Sequence, residues 1–416
     1  MEAGGISLSS GSDGIGRKIS YSYDPDVGTY YSGHGNARKP HLIRLTHSLF
    51  VAYGLYKEME VVRPCHAGDR DLTKLHAFLS GIAPETVQDQ AQALERFNVG
   101  GNCPAFNGLY RYCQTYASGS IGCAARLNFK LCDIARGHSH AKKCEASGFC
   151  YVNDIFLSIL ELLKYQKSVL YVDIDVHHGD GVEKAFYTTD RVTTVSLHKF
   201  GDYFPGSGHI QNIGYGKGKY YALNVPLNDG IDDENLKSIF KSILQQVMIV
   251  YDPEAVVLQC GANSLAGDRL GYFKLSVKGH AECILRYMRS FNVPRLLLGG
   301  GGFTIRNVAK CWCYESRVAV GKEIDEKICQ HDCYEYYGPH YSNNVAPRIV
   351  ENKNSKQTWD EVRSKVLENI NKMLCAPSVQ FQERPPDTDF PEPAEDDYDA
   401  GRRSSKWVGA SPENGY

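Results

Sequence analysis

Short apolar runs rich in β-branched residues alternate along this chain with longer segments of helical periodicity, and no other feature constrains the fold as strongly. Val169–Val176, Val192–Leu197, Ala255–Cys260 and Arg295–Leu298 read as buried strands, and 153–165, 233–250, 278–290 and 357–374 as helices. Asn153 stands where an N-cap belongs, ahead of a helix whose Ile155, Ile159, Leu162 and Leu163 share one face. Strands separated by helices need crossover connections, so the expected class is α/β: one mainly parallel sheet with helices on both faces.

The folded domain is expected over 17–376. From 377 onward nine acids stand against four bases among closely spaced prolines, which predicts a disordered acidic tail over 377–416. Because the whole chain has 46 basic and 48 acidic residues, the domain itself must be slightly basic, without the field that draws a protein onto nucleic acid or membrane. No stretch approaches the ~18 apolar residues of a membrane span. The start, MEAGGISLSSGSDGIGRK, lacks the apolar segment of a secretory signal; a flexible arm over 1–16 and an intracellular setting are expected. In that setting the 14 scattered cysteines read as free, mostly buried thiols. Cys329, His331 and Cys333 have metal-type side chains at the wrong spacing for a zinc finger.

Ligands of open α/β sheets bind beyond the carboxyl ends of the strands, which directs attention to the residues that follow each one. The first strand runs into Asp173-Ile-Asp175-Val-His177-His178-Gly-Asp180. With a period of two, Asp173, Asp175 and His177 project from one face, near enough for carboxylate and imidazole to share a metal. Unpaired buried charge is costly, so this cluster reads as a metal or catalytic site ahead of a structural ion-pair cluster. The third strand leads to Asn263, and the fourth to Gly299-Gly-Gly-Gly302-Phe303, where the backbone can approach a ligand closely or simply turn. With Thr304 in the last position the run is not a dinucleotide fingerprint. Upstream, His138-Ser139-His140 precedes Gly148-Phe149, a pair able to wall a narrow pocket. Beside a metal-bound water, His140 is a candidate general base.

Taken together, AKKCEASGFCYVND, YVDIDVHHGDGVEKAFYTTDRV, HKFGDYFPGSG, GKGKYYALNVPL, VVLQCGA, GDRLG and LLLGGGGFTIRNVAKCWCYE resemble the class I histone deacetylases, in the family's order and over nearly the whole chain. The opening residues and the wording of many segments look like a plant member. The resemblance implies an arginase/deacetylase-like fold and hydrolysis of acetyl-lysine by one Zn²⁺-bound water. It makes Asp175 and His177 zinc ligands, His140 the general base and acid, and Asp180 the carboxylate that orients it. Asp173, Asp175, His177, Ser196 and Leu197 match a structural K⁺ site, and Phe186, Thr189, Val192 and Tyr221 a second. Gly148, Phe149, Phe204 and Leu270 match the walls of the acetyl-lysine tunnel. Lys39, Arg269 and Arg306 match an inositol phosphate site shared with a corepressor subunit.

The departures bear on activity. The third zinc ligand should be aspartate and is Asn263, which lacks a formal charge. The tyrosine that donates to the oxyanion is Phe303, and losing one such donor typically costs about 10²–10³ in rate. The first histidine of the catalytic pair is Ser139, which leaves Asp173 without its imidazole unless His138 serves instead. The rim aspartate is Asn102, and the arginine of the acetate-release cavity is Leu42. Short stretches present in the family are missing between Asp133 and Gly137, a tryptophan among them, and between His76 and Phe78.

Three functional readings follow. One is a zinc hydrolase of histone-tail acetyl-lysine that represses transcription, weakened by Ser139, Asn263 and Phe303. Another is a catalytically impaired subunit of a corepressor complex that binds acyl-lysine. The third treats some departures and both gaps as errors of gene prediction. The resemblance implies residence in the nucleus, with the cytoplasm also open, and no sequence-specific DNA or membrane binding.

Overall fold

The computed structural model describes residues 19–33, 36–37, 39–64, 68, 72, 94–128, 132–135, 137–281, 287–346 and 349–374. The expected arm, the acidic tail and the gap at 76–78 lie outside the described residues.

Among the described residues eight strands form one sheet: β1 (Ile19–Ser22), β2 (Met59–Val62), β3 (Cys132–Ala135), β4 (Val169–Asp173), β5 (Val192–Lys199), β6 (Ala222–Leu227), β7 (Ala255–Gln259) and β8 (Arg295–Leu298). Their spatial order is β2-β1-β3-β8-β7-β4-β5-β6, and every pairing is parallel. The four strands legible in the sequence are the contiguous centre, β8-β7-β4-β5. β6 is an edge strand, which accommodates Pro226 because one of its sides needs no ladder donor. β1 and β2 are four-residue strands; the alternation of ISYS is too short to stand out, and MEVV does not alternate.

Within β4 the side chains alternate between two cores. Leu170 and Val172 pack with Ile239, Phe240, Ile243 and Val247 of helix Asp233–Val250. Val169 and Tyr171 pack with Ile155, Ile159 and Leu162 of helix Asp154–Leu162, and with Cys123, Ala124 and Leu127 of helix Leu109–Leu127. Burying each such aliphatic side chain contributes about 1.5–3 kcal/mol, which fixes the sheet between its helical layers. Asn153 caps as expected, its side chain accepting the Phe156 N–H at 2.9 Å. The cysteines whose side chains are described remain thiols, and most are buried.

Candidate active site

β4 ends at Asp173, so Asp175 and His177 lie in the loop beyond it and not, as the period-two reading had it, on the strand. What aligns them is a ladder of side-chain acceptors: the Asp175 N–H donates to Asp173 Oδ1 at 3.0 Å, and the His177 N–H to Asp175 Oδ1 at 2.9 Å. Each carboxylate thereby holds the backbone two residues on, and Ile174 and Val176 are left buried in the core. Tyr171 donates to Asp173 Oδ2 at 2.5 Å. Burial, then the neighbouring Asp175 charge, push the Asp173 carboxyl up to about 7. Burial also acts to raise Asp175, but hydrogen bonding and charge from His177 outweigh it and hold that carboxyl below its ordinary range.

His177 Nδ1 lies 2.9 Å from Asp175 Oδ1 and 3.0 Å from Asn263 Nδ2. One neighbour accepts and the other donates, so a single nitrogen cannot serve both. Asn263 Oδ1 meanwhile accepts the Val176 N–H at 3.2 Å. A divalent cation fits between Asp175 and His177, where carboxylate and imidazole lone pair converge. Asn263 supplies a third ligand, its amide oxygen, only by turning that amide over and releasing the Val176 N–H. The glycine run approaches these side chains directly: the Gly301 N–H donates to Asp175 Oδ2 at 3.1 Å, and a Cβ on Gly301 would stand 2.4 Å from Asn263 Nδ2.

His140 Nδ1 lies 2.9 Å from Asp180 Oδ1, and Lys142 Nζ lies 3.1 Å from Asp180 Oδ2. Burial alone would raise Asp180, yet the hydrogen bond and charge of His140, with Lys142 behind them, lower its carboxyl. A carboxylate on Nδ1 turns His140 Nε2 toward the substrate side. His138 does not take the place of the missing imidazole. Its ring lies 4.1 Å from that of Tyr116, tilted by 30°, and its Nδ1 lies 3.3 Å from Asp154 Oδ1, while Asp173 is engaged by Tyr171 and Asp175. His178 is turned away as well, toward Ser207 and Glu183. Ser139 is buried with its carbonyl accepting from Asn153, and its side chain lines the central cavity.

That cavity measures about 390 Å³ and runs from Asn102, Phe204 and Leu270 at the rim, past Gly148 and Phe149, to His140, His177, Asn263 and Phe303. The Phe204 ring lies 5.3 Å from His140 and 5.9 Å from His177, and Phe149 lies 5.3 Å from Phe303. Gly148 has φ +53°, and a Cβ there would stand 2.7 Å from His140 Cδ2, so only glycine lets this wall close on the imidazole. Asp268 accepts the N–H groups of Phe303, Thr304 and Leu270, and so ties the glycine-run loop to the rim.

The family model of the histone deacetylase domain matches residues 36–319. The chain belongs to the histone deacetylase family. It is 62% identical over 412 residues to histone deacetylase 19 of Arabidopsis thaliana, covering 97% of this chain and 82% of that protein. Against histone deacetylase 1 of Oryza sativa subsp. japonica it is 61% identical over 409 residues, covering 96% and 79%. Histone deacetylase 1 of Homo sapiens is 52% identical over 383 residues, with 90% and 79% covered. Histone deacetylases are zinc-dependent hydrolases, and Asn263, Phe303 and Ser139 of this chain line one cavity.

Other expected residues lie outside it. Asp173 and Ser196 are register partners on β4 and β5, Leu197 follows in β5, and the Gly179 N–H donates to Ser196 Oγ at 3.3 Å. Phe186, Thr189, Val192 and Tyr221 sit near the opposite ends of the same strands, where the Thr189 N–H donates to Phe186 O and the Thr194 N–H to Tyr221 O. Arg269 and Arg306 are exposed and have no ion-pair partner among the described residues, whereas Lys39 does line the cavity, with its ammonium 5.9 Å over the Tyr31 ring.

Sequence reasoning missed Tyr171, Lys142, Gln259 and Asp268. Gln259 ends β7 and donates to Asp175 Oδ2 at 3.3 Å; one amide in an otherwise apolar run was the available signal. Behind the Gly261 loop, buried His280, Cys311 and Glu315 gather their ligand-type atoms within 4.8 Å, and His280 Nε2 reaches Gly261 O at 3.3 Å. No described helix is long and apolar enough to cross a membrane.

Proposed function

We propose that this chain binds acetyl-lysine of histone tails in its central cavity and hydrolyses it far more slowly than a member with the full catalytic set, so that its part in nuclear repression comes chiefly through occupancy of a corepressor complex. The observation that supports this reading is the conflict at His177 Nδ1: Asp175 asks it for a proton, and Asn263 asks it for a lone pair.

Zinc, when bound at Asp175 and His177, supplies Lewis acidity and an activated water. With its Nδ1 side held by Asp180, His140 takes a proton at Nε2 and returns it to the departing lysine amine. Phe149 and Phe204 hold the apolar lysine stem and exclude water. Phe303 has no hydroxyl to offer the carbonyl oxygen, and Ser139 brings no second imidazole. These losses act on one unit and do not add.

K⁺ at the two expected positions would brace the β4 and β5 ends. An inositol phosphate at Lys39, Arg269 and Arg306 would bridge to a partner subunit through groups that catalysis does not use. In the test, acetylated and unmodified histone-tail peptides are titrated into the zinc-supplemented chain while hydrolysis is followed. The reading expects selective binding of the acetylated peptide with little turnover; absence of that selectivity contradicts it.

A further inference from the structure

We propose that His280, Cys311 and Glu315 form a separate, structural site for a thiophilic divalent cation, Zn²⁺, held by imidazole Nδ1, thiolate and carboxylate. None of the three lines the central cavity, and their ligand-type atoms all stand within 4.8 Å of one another. Cys311 and Glu315 are four residues apart on the helix Ile305–Val320 and so share a face, and His280 meets them from the helix Val277–Ala281. All three are buried.

Tautomer, spacing and charge each point to a cation. His280 Nε2 lies 3.3 Å from the Gly261 carbonyl, which can only accept, so the ring proton sits on Nε2 and a neutral imidazole turns its Nδ1 lone pair to Cys311 and Glu315. A carbonyl on the far nitrogen is the support that metal-bound histidines have. Tetrahedral zinc, with about 2.3 Å to sulfur and about 2.0–2.1 Å to nitrogen, sets those two atoms about 3.6 Å apart. Cys311 Sγ lies 3.6 Å from His280 Nδ1. Glu315 Oε1 lies 2.7 Å from Nδ1 without forming a hydrogen bond. Zinc sets such a pair about 3.4 Å apart, and the carboxylate has room to draw back, because Glu315 lines an adjoining cavity of about 60 Å³. One thiolate and one carboxylate balance a divalent cation and so lift the cost of buried charge. Without it, burial raises both the Glu315 carboxyl and the Cys311 thiol. A thiolate and an imidazole favour zinc over magnesium or calcium. The site would brace the turn from β7 to Asn263, since Gly261 O also accepts from Ser264 Oγ at 3.0 Å and Trp312 Nε1 donates to Cys260 O at 3.1 Å.

With its ligands buried, the site takes its metal during folding. In the experiment the full chain is produced in zinc-poor medium supplemented with Co²⁺, dialysed under reducing conditions and read by thiolate-to-cobalt charge-transfer absorption in the near ultraviolet. Asp175, His177 and Asn263 include no thiolate and are silent in that band. The expected result is a band of the intensity of one thiolate, lost in Cys311→Ser and kept in Cys333→Ser. A folded chain without the band overturns the proposal and leaves His280 and Glu315 as a pair around a shared proton. A band that survives Cys311→Ser, or disappears in Cys333→Ser, also overturns it, the latter by assigning the cobalt to Cys329 and Cys333. If Cys311→Ser does not fold, Glu315→Gln, which keeps the shape of the side chain, should retain at least about tenfold less cobalt than the natural chain; equal retention overturns the proposal.

Discussion

Asn263 turns its amide nitrogen to His177 Nδ1 at 3.0 Å, while its oxygen is occupied by the Val176 N–H. The orientation follows from the residue type. A neutral amide beside a lone pair donates to it, whereas a carboxylate would compete with Asp175 for the Nδ1 proton, repel Asp175, or share a cation with it.

Asn263→Asp should therefore change metal affinity before anything else. Zinc retention after dialysis is expected to rise at least tenfold, and thermal stability to become zinc-dependent, since a cation bound only by the folded state stabilises it. Without metal the variant should melt below the natural chain, because a second carboxylate then faces Asp175. Unchanged zinc content would show that the amide already coordinates as well as a carboxylate.

Phe303→Tyr adds a hydroxyl in a cavity wall of similar shape. It is expected to raise kcat by about 10²–10³ with a smaller effect on KM, the signature of a donor used mainly in the transition state. Steady-state hydrolysis of an acetyl-lysine peptide checks this.

Gly148→Ala places a methyl 2.7 Å from His140 Cδ2 at a backbone φ of +53°. The left-handed conformation alone costs about 1–2 kcal/mol for a residue with a Cβ, and the clash adds displacement of the imidazole. Denaturant unfolding should show the loss, and peptide affinity should fall with it.

Lys310 gives the clearest pH signature away from the metal position. Burial, with the Arg306 charge adding to it, lowers its ammonium from 10.5 to about 8, and its Nζ donates only to Asn344 O among the described residues. Between these values the folded state binds fewer protons than the unfolded one, so stability should rise with pH from about 8 to 10.5. Lys310→Met is expected to flatten that rise and to add roughly 1–2 kcal/mol at neutral pH, after allowance for residual solvent screening. Urea melts across the pH series test both.

The sheet centre was legible because β4, β5, β7 and β8 are buried along nearly their whole length and are rich in aliphatic and β-branched residues. The helix Leu109–Leu127 escaped notice because Gly119, Ser120 and Gly122 blur its periodicity, although a small residue at 119 suits the close approach to Ser22 of β1. At the site, Asp175, His177 and Asp180 could be singled out from their positions after a strand, and His140 from its place ahead of Gly148-Phe149. Gln259, Asp268 and Tyr171 could not be found in that way, because they act by holding loops from residues distant in sequence or from within a strand. The role suggested for His138 failed because Tyr116 and Asp154, on two separate helices, claim its ring. Sequence distance hides such competition.

The most direct measurement compares kcat/KM for an acetyl-lysine histone peptide between the natural chain and an Asn263→Asp, Phe303→Tyr, Ser139→His variant, each with its zinc content determined. The account predicts that the variant is faster by at least about 10², the size of one lost oxyanion donor. Equal rates for the two zinc-loaded proteins would contradict it.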